Sequence, residues 1–210
     1  MPSLQTDTNP QALLEKIQSN SAQNKQLSGR FRLRATGLKR LLGSIDLDII
    51  AKQPHYLYLS IDSFFKQPAR IVTYDGKKLY GIEEEKLESI LALPIAPEEL
   101  VEILLRTYAP DVKSIKKIST SQNTLQIQYR SGGYLTLTMD LLSFEIKKRE
   151  LRDKAGELIY AVTYEDFPRN FYLEATYKNQ KHAMTLSSED VKLNQGVFDE
   201  QLFRLSLIHI

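Results

Sequence analysis

Phe31-Arg32-Leu33-Arg34-Ala35, Ile45-Asp46-Leu47-Asp48-Ile49 and Tyr56-Leu57-Tyr58-Leu59-Ser60-Ile61 decide the fold class. In each stretch a large apolar side chain returns at every second position. That is the period of a strand with one buried and one wet face. The pattern recurs downstream at Leu125-Gln126-Ile127-Gln128-Tyr129 and at Leu135, Leu137 and Met139. Further strands read at 144–151, 158–164, 171–177 and 182–186, separated by turn residues such as Ser131-Gly132-Gly133 and Lys178-Asn179-Gln180. Between the two halves, short strands at 70–74 and 78–82 flank Asp75-Gly76, a strong hairpin signal. Strands at such regular spacing, without helices interleaved one for one, predict an antiparallel barrel or sandwich.

Helical spacing occurs in few places. Residues 1–10 read as a polar lead-in. Asn9-Pro10 then forms a cap-and-start signal for a helix over 11–19 carrying Leu13, Leu14 and Ile17. Leu87, Ile90 and Leu91 suggest a helical turn. Pro97-Glu98-Glu99 opens a second helix, with acids at its positive end and Leu100, Ile103, Leu104 and Tyr108 on one face up to Pro110. The whole chain, 1–210, reads as one domain. About ten strands curling around these helices leave either a ligand cavity or a fully packed core, and periodicity leaves both open.

Composition excludes several chemistries. The chain has no Cys, so disulfides, thiol nucleophiles and Cys-containing zinc sites are ruled out. His55, His182 and His209 are too far apart in sequence for a local metal motif. The sequence contains no G-x-S-x-G, H-E-x-x-H or phosphate-binding loop, so we expect no catalytic residue, no metal and no cofactor, and a protein that is not an enzyme. A net charge of +2 is too small to imply nucleic acid. No run approaches the roughly 20 apolar residues that span a bilayer. Glu83-Glu84-Glu85 reads as a solvated loop.

The loop Gly37-Leu38-Lys39-Arg40-Leu41-Leu42-Gly43 is unusual. It sits between two strands, yet carries three Leu residues where a turn is normally polar, and Arg30 to Gly43 contains cations and no acid. Leu38, Lys39, Arg40, Leu41 and Leu42 suit insertion at an anionic membrane surface or docking to a partner. The alternative is that the leucines fold back onto the core.

The order of short motifs resembles a known family. Lys52-Gln53-Pro54-His55-Tyr56-Leu57-Tyr58-Leu59 is followed by Pro68-Ala69-Arg70-Ile71-Val72-Thr73-Tyr74-Asp75-Gly76-Lys77-Lys78-Leu79-Tyr80. The opening helix leads into Gly29-Arg30-Phe31-Arg32. The end runs from Asp190-Val191-Lys192-Leu193-Asn194 through Phe198-Asp199 to Phe203. In combination these segments resemble the bacterial lipoprotein-localisation carriers and receptors, LolA and LolB. Trp, which several family members carry near the hairpin, is absent; the chain stops soon after the closing motif, without the longer C-terminal extension of the soluble carrier, which favours the anchored receptor type or an uncharacterised lipoprotein of the same fold.

The resemblance implies an α+β, mainly antiparallel β fold: an incomplete, half-open β-barrel with short helices covering its concave apolar face. It implies binding of lipid or lipoprotein acyl chains in the periplasm, for localisation or transfer to the outer membrane. The partners would be those acyl chains, a periplasmic carrier or outer-membrane protein, and the membrane surface, but not nucleic acid. Anchoring would run through an N-terminal lipidated Cys that this sequence does not contain. Acyl chains need a contiguous apolar wall, since each buried methylene contributes about 0.8 kcal/mol. Candidate wall residues are Phe31, Leu33, Ile45, Leu47, Leu57, Leu59 and Ile61, with Phe64 and Phe65 in the following loop. Leu91, Leu93, Leu100, Ile103 and Leu104 would form a lid. At each position ordinary core packing is the competing role. The competing function is a non-catalytic protein-interaction module on the same scaffold, in envelope sensing or assembly.

Overall fold

A computed structural model of the chain describes residues 9–36, 44–61, 70–82, 87, 94–177 and 179–195. The first half contributes helix α1 (Pro10–Ser21) and strands β1 (Gln26–Thr36), β2 (Ser44–Lys52), β3 (Tyr56–Ile61), β4 (Arg70–Asp75) and β5 (Leu79–Tyr80). Helix α2 (Pro97–Leu105) follows. The second half supplies β6 (Ile115–Ser121), β7 (Thr124–Tyr129), β8 (Tyr134–Met139), β9 (Ile146–Arg152), β10 (Leu158–Asp166), β11 (Asn170–Tyr177) and β12 (Gln180–Ser187). The two-residue β13 (Lys192–Leu193) comes last. All join one antiparallel sheet, ordered β5-β4-β3-β2-β1-β12-β11-β10-β9-β8-β7-β6, with β13 paired to the start of β1. The two end strands do not meet, so the sheet curls without closing: an open half-barrel.

Alternation sets which side is covered. Cross-strand register aligns Phe31 with Leu47 and Leu47 with Ile61. It likewise aligns Leu33 with Leu186 and Leu186 with Phe171. The apolar positions read from β1, β2 and β3 therefore continue onto β12 and β11 as rows on one face. The opposite face carries polar rows, for example Asp48 opposite Arg30 and Asp46 opposite Arg32. Asp46 accepts from Arg32 Nε at 3.0 Å, an exposed pair worth little to stability.

Helices α1 and α2 cover the apolar face. α1 starts where Asn9 Oδ1 accepts from the Gln11 N–H at 3.0 Å, with Pro10 in its first turn. It buries Leu13, Leu14 and Ile17 and packs beside β6 and β7. α2 packs over β1, β2 and β3 and buries Leu100, Val101, Ile103, Leu104 and Leu105.

Three sequence expectations need correction. α2 ends at Leu105, short of Pro110, because Arg106 adopts the left-handed conformation (φ 53°) and the Thr107 N–H turns back to the Glu102 carbonyl at 2.8 Å. Tyr108 is buried but lies beyond the helix. The strand expected from residue 144 begins at Ile146, since Phe144 also takes a positive φ in the preceding turn. β6 was not expected at all. Its register slips between Ile115 and Lys117, and that bulge removes the alternation by which a strand is recognised.

Candidate functional site

α2 divides the concave side of the sheet into an apolar and a polar half. Leu100, Ile103 and Leu104 face one way. Glu99 and Glu102, three residues apart and so on a common face, go the other way.

On the apolar side, Leu100, Ile103 and Leu104 meet Leu33, Leu47, Ile49 and Leu59 from β1–β3 and Phe171, Leu173, Met184 and Leu186 from β11 and β12. These eleven apolar residues line a cavity of about 40 Å³. That is room for a few water-sized groups, and an apolar wall offers water no partner, so the space favours hydrocarbon over water. A long acyl chain needs many times this volume. The wall is chemically suited to hydrocarbon, but α2 sits where the hydrocarbon would lie.

On the polar side, Arg149 of β9 is buried, with 3% of its side chain exposed. Its Nη2 pairs with Glu99 at 2.9 Å and its Nη1 with Glu102 at 3.0 Å. Arg149 Nε donates to the Tyr160 hydroxyl at 2.9 Å, and that hydroxyl in turn donates to Glu99. Burial alone would lower the Arg149 pKa, but the Tyr160 oxygen and the Glu102 and Glu99 carboxylates outweigh it and hold the guanidinium firmly charged. Burial pushes the Tyr160, Tyr108 and Tyr164 hydroxyls well above their ordinary range, so they stay protonated. Further contacts hold the ends of α2. Tyr74 donates to Glu98 at its start. Tyr164 donates to the Ile103 carbonyl at 3.0 Å. At its end Arg106 pairs with Glu145 at 2.8 Å and lies 4.2 Å above the Phe167 ring. α2 is thus a short amphipathic helix fastened by side chains from β4, β9 and β10, while its apolar face covers the cavity.

The candidate wall residues fall into three groups. Leu33, Leu47, Leu59, Leu100, Ile103 and Leu104 line the cavity. Phe31, Leu57 and Ile61 are buried on the same face outside its lining, Phe31 with its ring 6.2 Å from Phe171, and Ile45 is half-buried against the core. Phe64, Phe65, Leu91, Leu93 and the loop residues Leu38, Lys39, Arg40, Leu41 and Leu42 lie outside the described residues, as do Glu83-Glu84-Glu85 and the closing Phe198, Asp199 and Phe203.

Ile49, Phe171, Leu173, Met184 and Leu186 belong to the lining and were not among the candidates. Their alternation was visible, but nothing in the sequence announces that β12 pairs with β1. The Arg149 network left no signal either: within the strand expected at 144–151, Arg149 is one of four consecutive charged residues, Lys147-Lys148-Arg149-Glu150, and nothing local sets it apart. Among the described residues no cluster of three or more His, Asp or Glu side chains could hold a metal ion.

No protein-family model matches the chain, and no curated protein is significantly similar to it in sequence. Solved structures do match. A LolA superfamily protein from Nitrosomonas europaea superposes with a TM-score of 0.62 at 14% identity, covering 93% of this chain and 97% of that one. A putative outer membrane lipoprotein-sorting protein domain from Vibrio parahaemolyticus gives 0.51 at 13% identity, covering 95% and 99%. A DUF1329 family protein from Desulfovibrio piger gives 0.54 at 9% identity, covering 95% and 98%. The chain has a LolA-like fold.

Proposed function

We propose, from the premise of a fold shared with lipoprotein-sorting proteins, that this chain binds lipid or lipoprotein acyl chains against its concave apolar face. It does so without catalysis, in the periplasm and at the outer membrane. The observation that carries the reading is the wall itself: eleven aliphatic and aromatic residues around one apolar space, roofed by a helix that polar side chains fasten from its other face. Most of a domain's apolar residues pack core against core. Here the roof is a nine-residue helix, and lifting it would expose a continuous hydrocarbon-binding surface on β1–β3, β11 and β12. Leu33, Leu47, Leu59, Leu100, Ile103 and Leu104 are the contact residues in this proposal. Phe31, Ile45, Leu57 and Ile61 extend the wall, with Phe64, Phe65, Leu91 and Leu93 as further contacts. Leu38, Lys39, Arg40, Leu41 and Leu42 are proposed to meet the membrane or a partner. A lipidated N-terminus would hold the protein there.

The small volume, about 40 Å³, is the observation that favours a second reading, a protein-interaction module whose core is simply packed. Calorimetric titration with 1-dodecanol at several temperatures separates the two. Acyl binding predicts saturable heat with a negative heat-capacity change from apolar burial. An absence of binding at every temperature, by 1-dodecanol and by dodecanoate alike, supports the interaction module.

A further inference from the structure

Resting on the acyl-binding reading, we infer that the cargo carries an oxyanion, a carboxylate or phosphate next to its hydrocarbon chain, and that Arg149 receives it when α2 moves aside.

The argument starts from where the counter-charges of Arg149 reside. Both carboxylates that neutralise it, Glu99 and Glu102, belong to α2. Its other partners, the Tyr160 hydroxyl and the Thr107 carbonyl (3.4 Å), are neutral. A cavity of about 40 Å³ cannot admit a chain while α2 covers it, so entry of cargo displaces the helix that supplies both anions. Among the described residues the neighbouring acids offer no replacement. Glu145 is held by Arg106 and Lys147, and Glu150 by Lys148 and Arg152. Opening for a purely apolar ligand therefore strands a guanidinium on an otherwise apolar and aromatic surface, which is strongly unfavourable. A ligand whose oxyanion takes the place of Glu99 and Glu102 removes that penalty, and planar bidentate recognition of carboxylate or phosphate is what a guanidinium does best.

The register puts head and tail within one molecule's reach. Arg149 is paired across the sheet with Val162, Val162 with Leu173, and Leu173 with Met184. These four residues form one row on the concave side, and Leu173 and Met184 line the apolar cavity. Three strand spacings, about 15 Å in all, separate the backbone of Arg149 from that of Met184, a length comparable to an extended dodecyl tail.

The test compares dodecanoate with 1-dodecanol by calorimetric titration of the full chain at pH 8, where the carboxylate is ionised. Dodecanoate binding at least about tenfold more tightly, equivalent to about 1.4 kcal/mol, supports the inference. Glu99→Gln with Glu102→Gln loosens the roof, keeps Arg149, and is expected to tighten both probes by a similar factor while preserving their ratio. Arg149→Gln, if it folds, is expected to abolish the ratio. Equal affinities in the unmodified chain overturn this inference and leave the acyl-binding reading standing. Failure of both probes to bind overturns both. Repeating the comparison with dodecyl phosphate shows which oxyanion Arg149 prefers.

Discussion

Replacing Arg149 by Met removes the cation that pairs with both Glu99 and Glu102 on the polar side of α2, and those two carboxylates stay beside Tyr160 and Thr107. Removing one partner of a buried ion pair commonly costs about 3–5 kcal/mol, because an uncompensated charge is left behind. The Glu99 and Glu102 side chains are 26% and 14% exposed, so water reaches them and the lower end, about 3 kcal/mol, applies. For a chain of this size that lowers Tm by about 6–12 °C. Urea unfolding followed by far-UV circular dichroism reads the change directly, with an unchanged dependence on denaturant as evidence that the folded sheet is intact. Combining Arg149→Met with Glu99→Gln and Glu102→Gln removes every charge together and is expected to recover most of the loss, since neutral replacement of a whole buried ionic cluster is often close to neutral overall. The reasoning is refuted if Arg149→Met costs under about 1 kcal/mol, or if the triple variant is no more stable than the single one.

Ile103→Ala, at the centre of the apolar face of α2, is expected to lose about 2–5 kcal/mol in urea unfolding through lost burial and an enlarged void. Leu173→Phe, which adds bulk beside the existing cavity, is expected to leave stability within about 1.5 kcal/mol while weakening 1-dodecanol binding at least several-fold in the same titration. Gly81 holds φ +84° and an added Cβ would lie 2.1 Å from the Ile71 carbonyl oxygen. Gly81→Ala is therefore expected to cost more than about 1 kcal/mol, read from the unfolding midpoint. Burial would raise the Glu145 pKa, but Arg106 and Lys147 overcome it and depress it below the usual 4.5. A depressed folded-state pKa contributes stability that is present above the unfolded value and lost as pH falls through the folded one. Stability measured between pH 6 and pH 3 is expected to fall below about pH 4.5, and less steeply in Glu145→Gln.

What the sequence reveals here depends on how local the signal is. β1, β2 and β3 are legible because Phe31, Leu47 and Leu59 each sit in an uninterrupted alternation, and α1 because Asn9, Pro10 and the Leu13, Leu14, Ile17 stripe agree. β6 is hidden by a bulge, and the end of α2 by an Arg in a conformation that no neighbouring residue forecasts. The cavity wall was half legible. Residues from the first three strands and α2 could be listed, whereas Phe171, Leu173, Met184 and Leu186 join them only through a pairing across about 150 residues of chain, Leu33 with Leu186. The Arg149 network is of the same kind: three residues, ordinary in their local contexts, become a buried charge cluster only when β9 is laid under α2.

Native mass spectrometry of the protein gently extracted from its native cells tests the central claim most directly. The account predicts a co-purified acyl species, retained through dilution and lost when Leu59 and Leu104 are replaced by charged residues in a variant that still folds. A clean unliganded mass that does not change on adding lipid contradicts it.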